Sequence, residues 1–256
     1  MEAIKRYWEK ATPMSFSPEK WDYETKRKFR YELQDYMQSV FQFDKWAGKS
    51  ILEIGCGSGI DAVEFARNGA VVVAIDITDN AVQLTKDLAE EANQHIAVFK
   101  TSVDKMDTVK IKVGGNEEVE GFDCVYSYGV LHHIPDVDSV LKDAHRLLKP
   151  GGVIMAMLYN KDSILWAYSI LKRTRKEHPS MTDLQATAFY SERNEGCPYT
   201  KAYTKQEAID LFGKYFKDVS VSVHYNVVDL PQQRKVKLGI SDEYELGWHL
   251  VVKAVK

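Results

Sequence analysis

Leu52-Glu53-Ile54-Gly55-Cys56-Gly57-Ser58-Gly59 is the stretch on which the reading of this chain turns. Ser50–Gly55 is a short apolar run that enters three glycines at alternate positions. Ile60–Arg67 follows with helical character until Asn68-Gly69 stops it. Glycines in such a loop let the backbone turn tightly and let a ligand approach with no Cβ in the way. A helix that starts directly behind the loop aims unpaired N–H groups and the positive end of its dipole at the ligand. Ala70–Ile75 is then a largely β-branched run without polar alternation, as expected of a strand buried on both faces. It ends at Asp76, 21 positions after Gly55, where a carboxylate is placed to accept both hydroxyls of a ribose. The dinucleotide spacing G-x-G-x-x-G needs a third glycine where Ile60 stands, which disfavours a nicotinamide-dependent oxidoreductase.

Strand and helix keep alternating outward from this loop. A helix runs from Asp79 or Asn80 to about Ala92, a strand over His95–Lys100 and another over Phe122–Ser127. A helix over Val137–Leu148 leads to a turn at Pro150-Gly151-Gly152 and a fifth strand, Val153–Tyr159. Five alternations predict a parallel sheet with right-handed crossovers and helices on both faces. Thr108–Gly121 reads as an insert with a small hairpin. Residues 1–50 read mostly as helix, Lys20–Met37 above all. Beyond Tyr159 the pattern gives a helix over Ser163–Lys172, an irregular stretch His178–Thr204 and a helix over Lys205–Phe212. Two last strands follow, Asp218–His224 and Gly247–Val255.

The chain has 256 residues, against a typical domain of ~150. With no repeat and no Pro/Gly/Ser-rich linker, one continuous domain over 1–256 is expected. A formal charge of −3 argues against a nucleic-acid partner, since dedicated binders carry a basic footprint. No apolar run approaches the ~20 residues of a membrane span, and Met1–Lys10 lacks the apolar core of a secretory signal. Cys56, Cys124 and Cys197 are too few and too scattered for a disulfide framework or a metal site, which fits a reducing, cytoplasmic compartment.

The glycine stretch, with Glu53 ahead of it, resembles the first motif of class I S-adenosylmethionine-dependent methyltransferases. Val72-Val73-Ala74-Ile75-Asp76 is similar to their second motif, and Phe122-Asp123-Cys124-Val125-Tyr126-Ser127 to their fourth strand. Val130-Leu131-His132-His133-Ile134 and Leu147-Leu148-Lys149-Pro150-Gly151-Gly152 resemble the sequences that follow in small-molecule members. The resemblance covers residues 51–158. It implies a Rossmann-like, doubly wound α/β fold with seven mostly parallel strands and an antiparallel last strand. Residues 1–50 would form a helical N-terminal cap, 51–158 the cofactor-binding half, and 159–256 the last strands with a lid insertion after the fifth strand.

The same resemblance implies S-adenosylmethionine as cofactor and S-adenosylhomocysteine as product. Glu53 would sit near the cofactor's amino group, and the backbone of Gly55, Cys56 and Gly57 would receive its methionine moiety. Asp76 would hold the ribose and Ile77 would pack on the adenine. The acidic residue often found after the third strand is replaced here by Ser102, so the backbone of Ser102 and Val103 is expected at the adenine. Ser127 would meet the methionine portion. His132 and His133 are candidate bases, because a histidine titrates near ~6.5, with packing of the next helix as their competing role. Tyr128 is a third candidate for lining the transfer site.

The usual tetrapeptide of nucleobase methyltransferases is absent: Ser127-Tyr128-Gly129-Val130 stands in its place. A small-molecule acceptor with an oxygen, nitrogen, sulfur or carbon nucleophile is therefore expected, and a non-catalytic cofactor-binding protein is the alternative. Residues 51–158 hold only five of the 29 aromatics, so specificity is expected in the flanks. Tyr7, Trp8, Tyr199 and Tyr203 are the candidate substrate-lining residues. Cys197 carries a substrate-lining or reactive role as an open reading, the basic run Lys172–Lys176 reads as a solvated helix end or as a patch for an anionic substrate or membrane surface, and the oligomer is expected to be a monomer or homodimer.

Overall fold

The computed structural model describes residues 1–11, 21–102, 112–113, 117–118, 121–192, 196–229 and 235–256. Its seven principal strands are β1 (Ser50–Ile54), β2 (Val71–Asp76), β3 (Ile96–Lys100), β4 (Phe122–Tyr128), β5 (Leu148–Asn160), β6 (Lys217–His224) and β7 (His249–Val255). They lie side by side in the order β3-β2-β1-β4-β5-β7-β6. Pairings from β3 through β5 are parallel, and β7 runs antiparallel to both β5 and β6. This is the expected Rossmann-like sheet with a reversed last strand.

Two features of the sheet depart from the sequence reading. Ala202–Tyr203 adds a two-residue strand parallel to the end of β5, opposite Tyr159 and Asn160. The fifth strand also begins at Leu148, so Pro150-Gly151-Gly152 lies inside it. Phe122 pairs with Leu148 but Cys124 with Val153, so the intervening residues of β5 bulge away from β4. Glycine permits this. Gly151 has φ +75°, and a Cβ at Gly152 would stand 3.0 Å from the Phe122 carbonyl oxygen.

The helices are α1 (Glu2–Ala11), α2 (Tyr23–Leu33), α3 (Tyr36–Phe41), α4 (Ile60–Arg67), α5 (Asp79–Glu91), α6 (Val137–Leu147), α7 (Lys172–Glu177), α8 (Asp183–Tyr190) and α9 (Lys205–Gly213). The single helix expected over Lys20–Met37 is broken at Gln34, whose backbone leaves the helical region and whose side chain turns inward. The helix expected over Ser163–Lys172 starts as a π-helical turn, Leu165–Leu171, before α7. The stretch read as irregular contains α8, held at its start by a reciprocal Thr182–Gln185 capping box. Its apolar residues are spread around the helix, so no periodic stripe announced it. Within the insert, Lys112–Val113 pairs antiparallel with Glu117–Glu118; its other residues up to 120 lie outside the described set.

Side chains alternate across the sheet into two cores. Ile51, Val72, Ala74, Tyr126, Met155 and Met157 face α2 to α5, where Phe41, Phe43 and Phe65 are fully buried. Leu52, Val73, Val125, Ile154 and Leu158 face α6 and α9. Each large apolar side chain so buried contributes about 1.5–3 kcal/mol. Helix α4 lies between the sheet and α2 and is buried nearly all round, Asp61 and Glu64 included. Glu64 receives a two-pronged bond from Arg27, Nε to Oε2 at 2.6 Å and Nη2 to Oε1 at 2.8 Å. The reversal of β7 brings its first residue, His249, level with Tyr159 at the end of β5. A residue close to the chain end thereby joins the rim where the parallel strands finish. No helix among the described residues is long and apolar enough to cross a membrane.

Candidate functional site

A cavity of about 270 Å³ opens over the carboxyl ends of β1, β2, β4 and β5, the position where an open α/β sheet binds ligands. Gly55, Gly57 and Gly59 all have positive φ, between +55° and +80°. At Gly55 a Cβ would stand 2.2 Å from Val130 Cγ2, and at Gly59 it would stand 2.8 Å from the Thr85 backbone. At Gly57 a Cβ would meet nothing within 4 Å, because this glycine faces the cavity. Two glycines let the loop close on its neighbours, and the third leaves room for a ligand.

Asp76 locks this loop from the end of β2. Its Oδ2 accepts the Gly57 N–H at 3.1 Å, and its Oδ1 accepts the N–H and hydroxyl of Thr78 at 3.0 and 2.9 Å. Burial raises its pKa, and those hydrogen bonds hold the rise back. Thr78 also caps α5, the task that Asp76 would otherwise have. Ile77 and Thr101 line the wall beside it.

Glu53 reaches the cavity from β1. Its side chain is buried, and among the described residues its Oε2 has no hydrogen-bond partner. Burial pushes its pKa well above the usual carboxylate range; Asp61 adds to the rise and Arg30 opposes it. A buried carboxylate oxygen without a partner, on the rim of a ligand cavity, is built to meet a cation or donor from the ligand. The glycine loop with Glu53 and Asp76 thus fits a ligand that has an ammonium group at one end and a ribose at the other.

Behind Glu53, Arg30 on α2 enters the wall. Its Nη2 bonds Asp61 Oδ2 at 2.7 Å, and its Nη1 bonds Gln34 Oε1 at 2.8 Å. Tyr31 and Tyr126 also donate to Asp61, at 3.1 and 2.9 Å. The Arg30 guanidinium lies 4.4 Å above the Tyr128 ring, and the Tyr128 hydroxyl donates to Gln34 at 2.9 Å. His249 Nδ1 closes the chain, 2.8 Å from the Tyr36 hydroxyl and 3.2 Å from that of Tyr128. Arg30, Gln34, Asp61, Tyr159, Glu192, Tyr225 and His249 all line the cavity, and the sequence pattern marked none of them. Arg30 carried one usable signal: it stands one α-helical turn before Gln34, with Leu33 on the same side. That signal was lost in the dense charge of α2.

Of the three expected catalytic residues, His133 and Tyr128 line the cavity. His133 is buried, its Nδ1 is 3.2 Å from the Tyr199 carbonyl and 3.0 Å from the Thr200 hydroxyl, and its Nε2 is 3.7 Å from Glu192 Oε1. Burial lowers its pKa. His132 is placed differently: it is fully buried behind the wall with its ring stacked 3.8 Å from that of Tyr159, because the short helical turn Leu131–His133 points successive side chains in different directions.

Among the expected cofactor contacts, Glu53, Gly55, Cys56, Gly57, Asp76 and Ile77 are on the wall. Ser127 is not. Its hydroxyl donates to the Ile54 carbonyl at 3.1 Å, because strand alternation turns it away from Tyr128 and its face. Ser102 is off the wall, with Thr101 in its place, and Val103 lies outside the described residues. Among the substrate candidates, Tyr7 and Trp8 line the cavity from α1, with the Trp8 ring 4.8 Å from that of His133. Tyr199 contributes its backbone to His133 rather than its ring to the wall. Tyr203 is buried in the opposite core with Leu211 and Phe212, since its two-residue strand turns it to that face. Cys56 and Cys197 are both buried; burial pushes the Cys197 thiol up to about 11.

Residues 23–210 match the family model described as a methyltransferase domain. The ubiquinone biosynthesis O-methyltransferase of Pasteurella multocida is 31% identical over 125 residues, which are 48% of this chain and 52% of that protein. The enzyme of the same description from Actinobacillus pleuropneumoniae is 33% identical over 114 residues, 44% of this chain and 47% of the relative. The chain thus spans about half the length of the curated relatives it matches. Magnesium protoporphyrin IX methyltransferase from Synechocystis PCC 6803, solved with bound S-adenosylhomocysteine, superposes with a TM-score of 0.61 at 12% identity, covering 100% of this chain and 99% of that one. A SAM-dependent methyltransferase from Methanosarcina mazei superposes at 0.59 with 18% identity, covering 85% and 96%. These two likenesses concern the fold.

Proposed function

The chain belongs to the methyltransferase-domain family, and from that premise we propose that it methylates a small molecule. S-Adenosylmethionine, bound along the glycine loop, supplies an activated methyl group. The observation that carries this reading is the buried Oε2 of Glu53, which has no hydrogen-bond partner among the described residues and faces the same cavity as Gly57 and Asp76. Glu53 would receive the methionine ammonium, Asp76 the ribose hydroxyls and the Gly55–Gly57 backbone the methionine portion. Trp8 on α1 and Tyr159 on β5 exclude water from the acceptor side, and Tyr128 sits where the two halves meet. The remaining work is alignment of the acceptor at about 3–3.5 Å from the methyl carbon and removal of a proton. His133 is placed on the wall for that removal.

We read the whole chain as one methyltransferase domain that acts in the cytoplasm as a monomer or homodimer, without nucleic acid. Its three buried free cysteines and its modest net charge support that setting. The O-methyltransferase relatives make an oxygen nucleophile the first to try.

Titration calorimetry with S-adenosylhomocysteine and with NAD tests the cofactor. Binding of the first alone is expected; binding of NAD alone would overturn the reading. A transfer screen over metabolite pools with methyl-labelled S-adenosylmethionine then tests catalysis. A cofactor that binds while no pool becomes labelled would favour a non-catalytic binding protein.

A further inference from the structure

Glu192 lies in the insertion after β5, outside every stretch that the sequence motifs marked. Its Oε1 accepts the Tyr159 hydroxyl at 3.0 Å and the Ser191 hydroxyl at 3.2 Å, and it faces His133 Nε2 at 3.7 Å. On the other side of the ring, His133 Nδ1 is 3.2 Å from the Tyr199 carbonyl. That carbonyl only accepts, and the Thr200 hydroxyl 3.0 Å from the same nitrogen can accept as well, so a proton on Nδ1 serves both and leaves the Nε2 lone pair on the Glu192 side. Glu192 and Tyr199 therefore bracket one ring, and each favours a proton on the nitrogen it faces, which together favour the imidazolium. The insertion supplies both ends of that bracket, and His133 and Glu192 both line the cavity.

We propose that His133 Nε2 takes the acceptor's proton, with Glu192 as the positioning residue that stabilises the imidazolium, so that the acceptor enters as a hydroxyl or amine still bearing its proton. This rests on the methyl-transfer reading. The acceptor's X–H bond breaks and its proton goes to Nε2. The electron pair on X forms the new bond to the methyl carbon, and the pair of the broken C–S bond stays on sulfur as a neutral thioether. The positive charge that began on sulfur ends on His133, opposite the Glu192 carboxylate. An acceptor that arrives as an anion gains nothing from this pair and is repelled by Glu192.

Other titratable groups facing the ring do not supply the same function. His132 is tilted against it with ring centres 4.3 Å apart, Tyr159 meets it edge-on at 6.0 Å and Cys197 Sγ is 4.0 Å from Nδ1. Burial holds the Tyr159 hydroxyl and the Cys197 thiol protonated, which leaves Glu192 as the carboxylic group beside the ring. Burial alone lowers the His133 pKa and the Glu192 charge raises it, which keeps the ring neutral at rest yet able to take a proton.

Nitrogen-15 histidine spectra of the full chain, without ligand and with S-adenosylhomocysteine, test the pair. Near pH 7.5 His133 is expected neutral with its proton on Nδ1. Glu192→Gln should move its titration to lower pH by on the order of one unit, and Glu192→Asp should restore most of that. A proton on Nε2, or a titration unmoved by Glu192→Gln, would overturn the pair. Spectra of the unliganded protein judge it even if S-adenosylhomocysteine fails to bind, a failure that would count against the methyl-transfer reading instead. With any labelled acceptor recovered, Glu192→Gln should lower transfer at least tenfold while S-adenosylhomocysteine affinity stays within twofold.

Discussion

Arg30 Nη2 stands 2.7 Å from Asp61 Oδ2, and both side chains are withdrawn from solvent. The pair joins α2 to α4 directly behind the glycine loop, so the N-terminal helices are part of the cavity wall rather than an appendage to it.

Arg30→Met leaves the Asp61 carboxylate buried with the Tyr31 and Tyr126 hydroxyls as its remaining side-chain partners among the described residues. Breaking one side of a buried ion pair costs about 3–5 kcal/mol. Urea unfolding of the variant should show a loss of that order, with the denaturant slope unchanged.

Glu53 bears on pH dependence. Its folded pKa is raised by burial, so folding favours its protonated form. The stability tied to that proton is fully present below the ordinary carboxylate pKa and is lost as pH rises through the folded value. Glu53→Gln should therefore stabilise the ligand-free protein at pH 8, and the gain should vanish toward pH 4. Binding a cationic ligand group should ionise Glu53 and release its proton. The calorimetric enthalpy of S-adenosylhomocysteine binding should then depend on the buffer's heat of ionisation, and that dependence should weaken in Glu53→Gln.

Asp76→Ala removes the acceptor of the Gly57 N–H and, in the proposed reading, the ribose partner. S-Adenosylhomocysteine should bind at least about tenfold more weakly, or about 1.4 kcal/mol. Equal affinity in calorimetry would contradict the placement of the cofactor.

Gly55→Ala meets two obstacles, φ +78° and Val130 Cγ2 at 2.2 Å. Backbone strain alone costs roughly 1–3 kcal/mol, with the clash in addition. Adding Val130→Ala should recover the clash and not the strain, read as a partial return of the melting temperature. Gly57→Ala meets no neighbour but keeps the backbone strain of φ +55°, so it should cost less stability than Gly55→Ala while still weakening cofactor binding.

The half of the cavity built around the glycine loop was legible in the sequence because its constraints are local. A strand, a tight glycine turn and a helix start leave marks within a few residues, and Glu53, Gly57 and Asp76 fall inside them. The opposite half of the cavity was not legible, because its residues meet only through topology. Glu192 and Tyr199 reach His133 from an insertion with no repeating pattern, and α8 within it has no apolar stripe.

By itself, then, the sequence determined a parallel α/β sheet, its glycine loop and the acidic strand end beside it, since hydrophobic period and backbone conformational limits act between near neighbours. The tertiary structure alone decided which charges are buried and which side chains share the second half of the cavity. Arg30 reads as one more cation in a charged helix until α4 packs against it. His249 is a strand residue 213 positions from Tyr36 until the reversal of β7 places its ring nitrogen 2.8 Å from that hydroxyl. Burial and contact across such distances depend on how whole elements stack, and no short window of sequence records that.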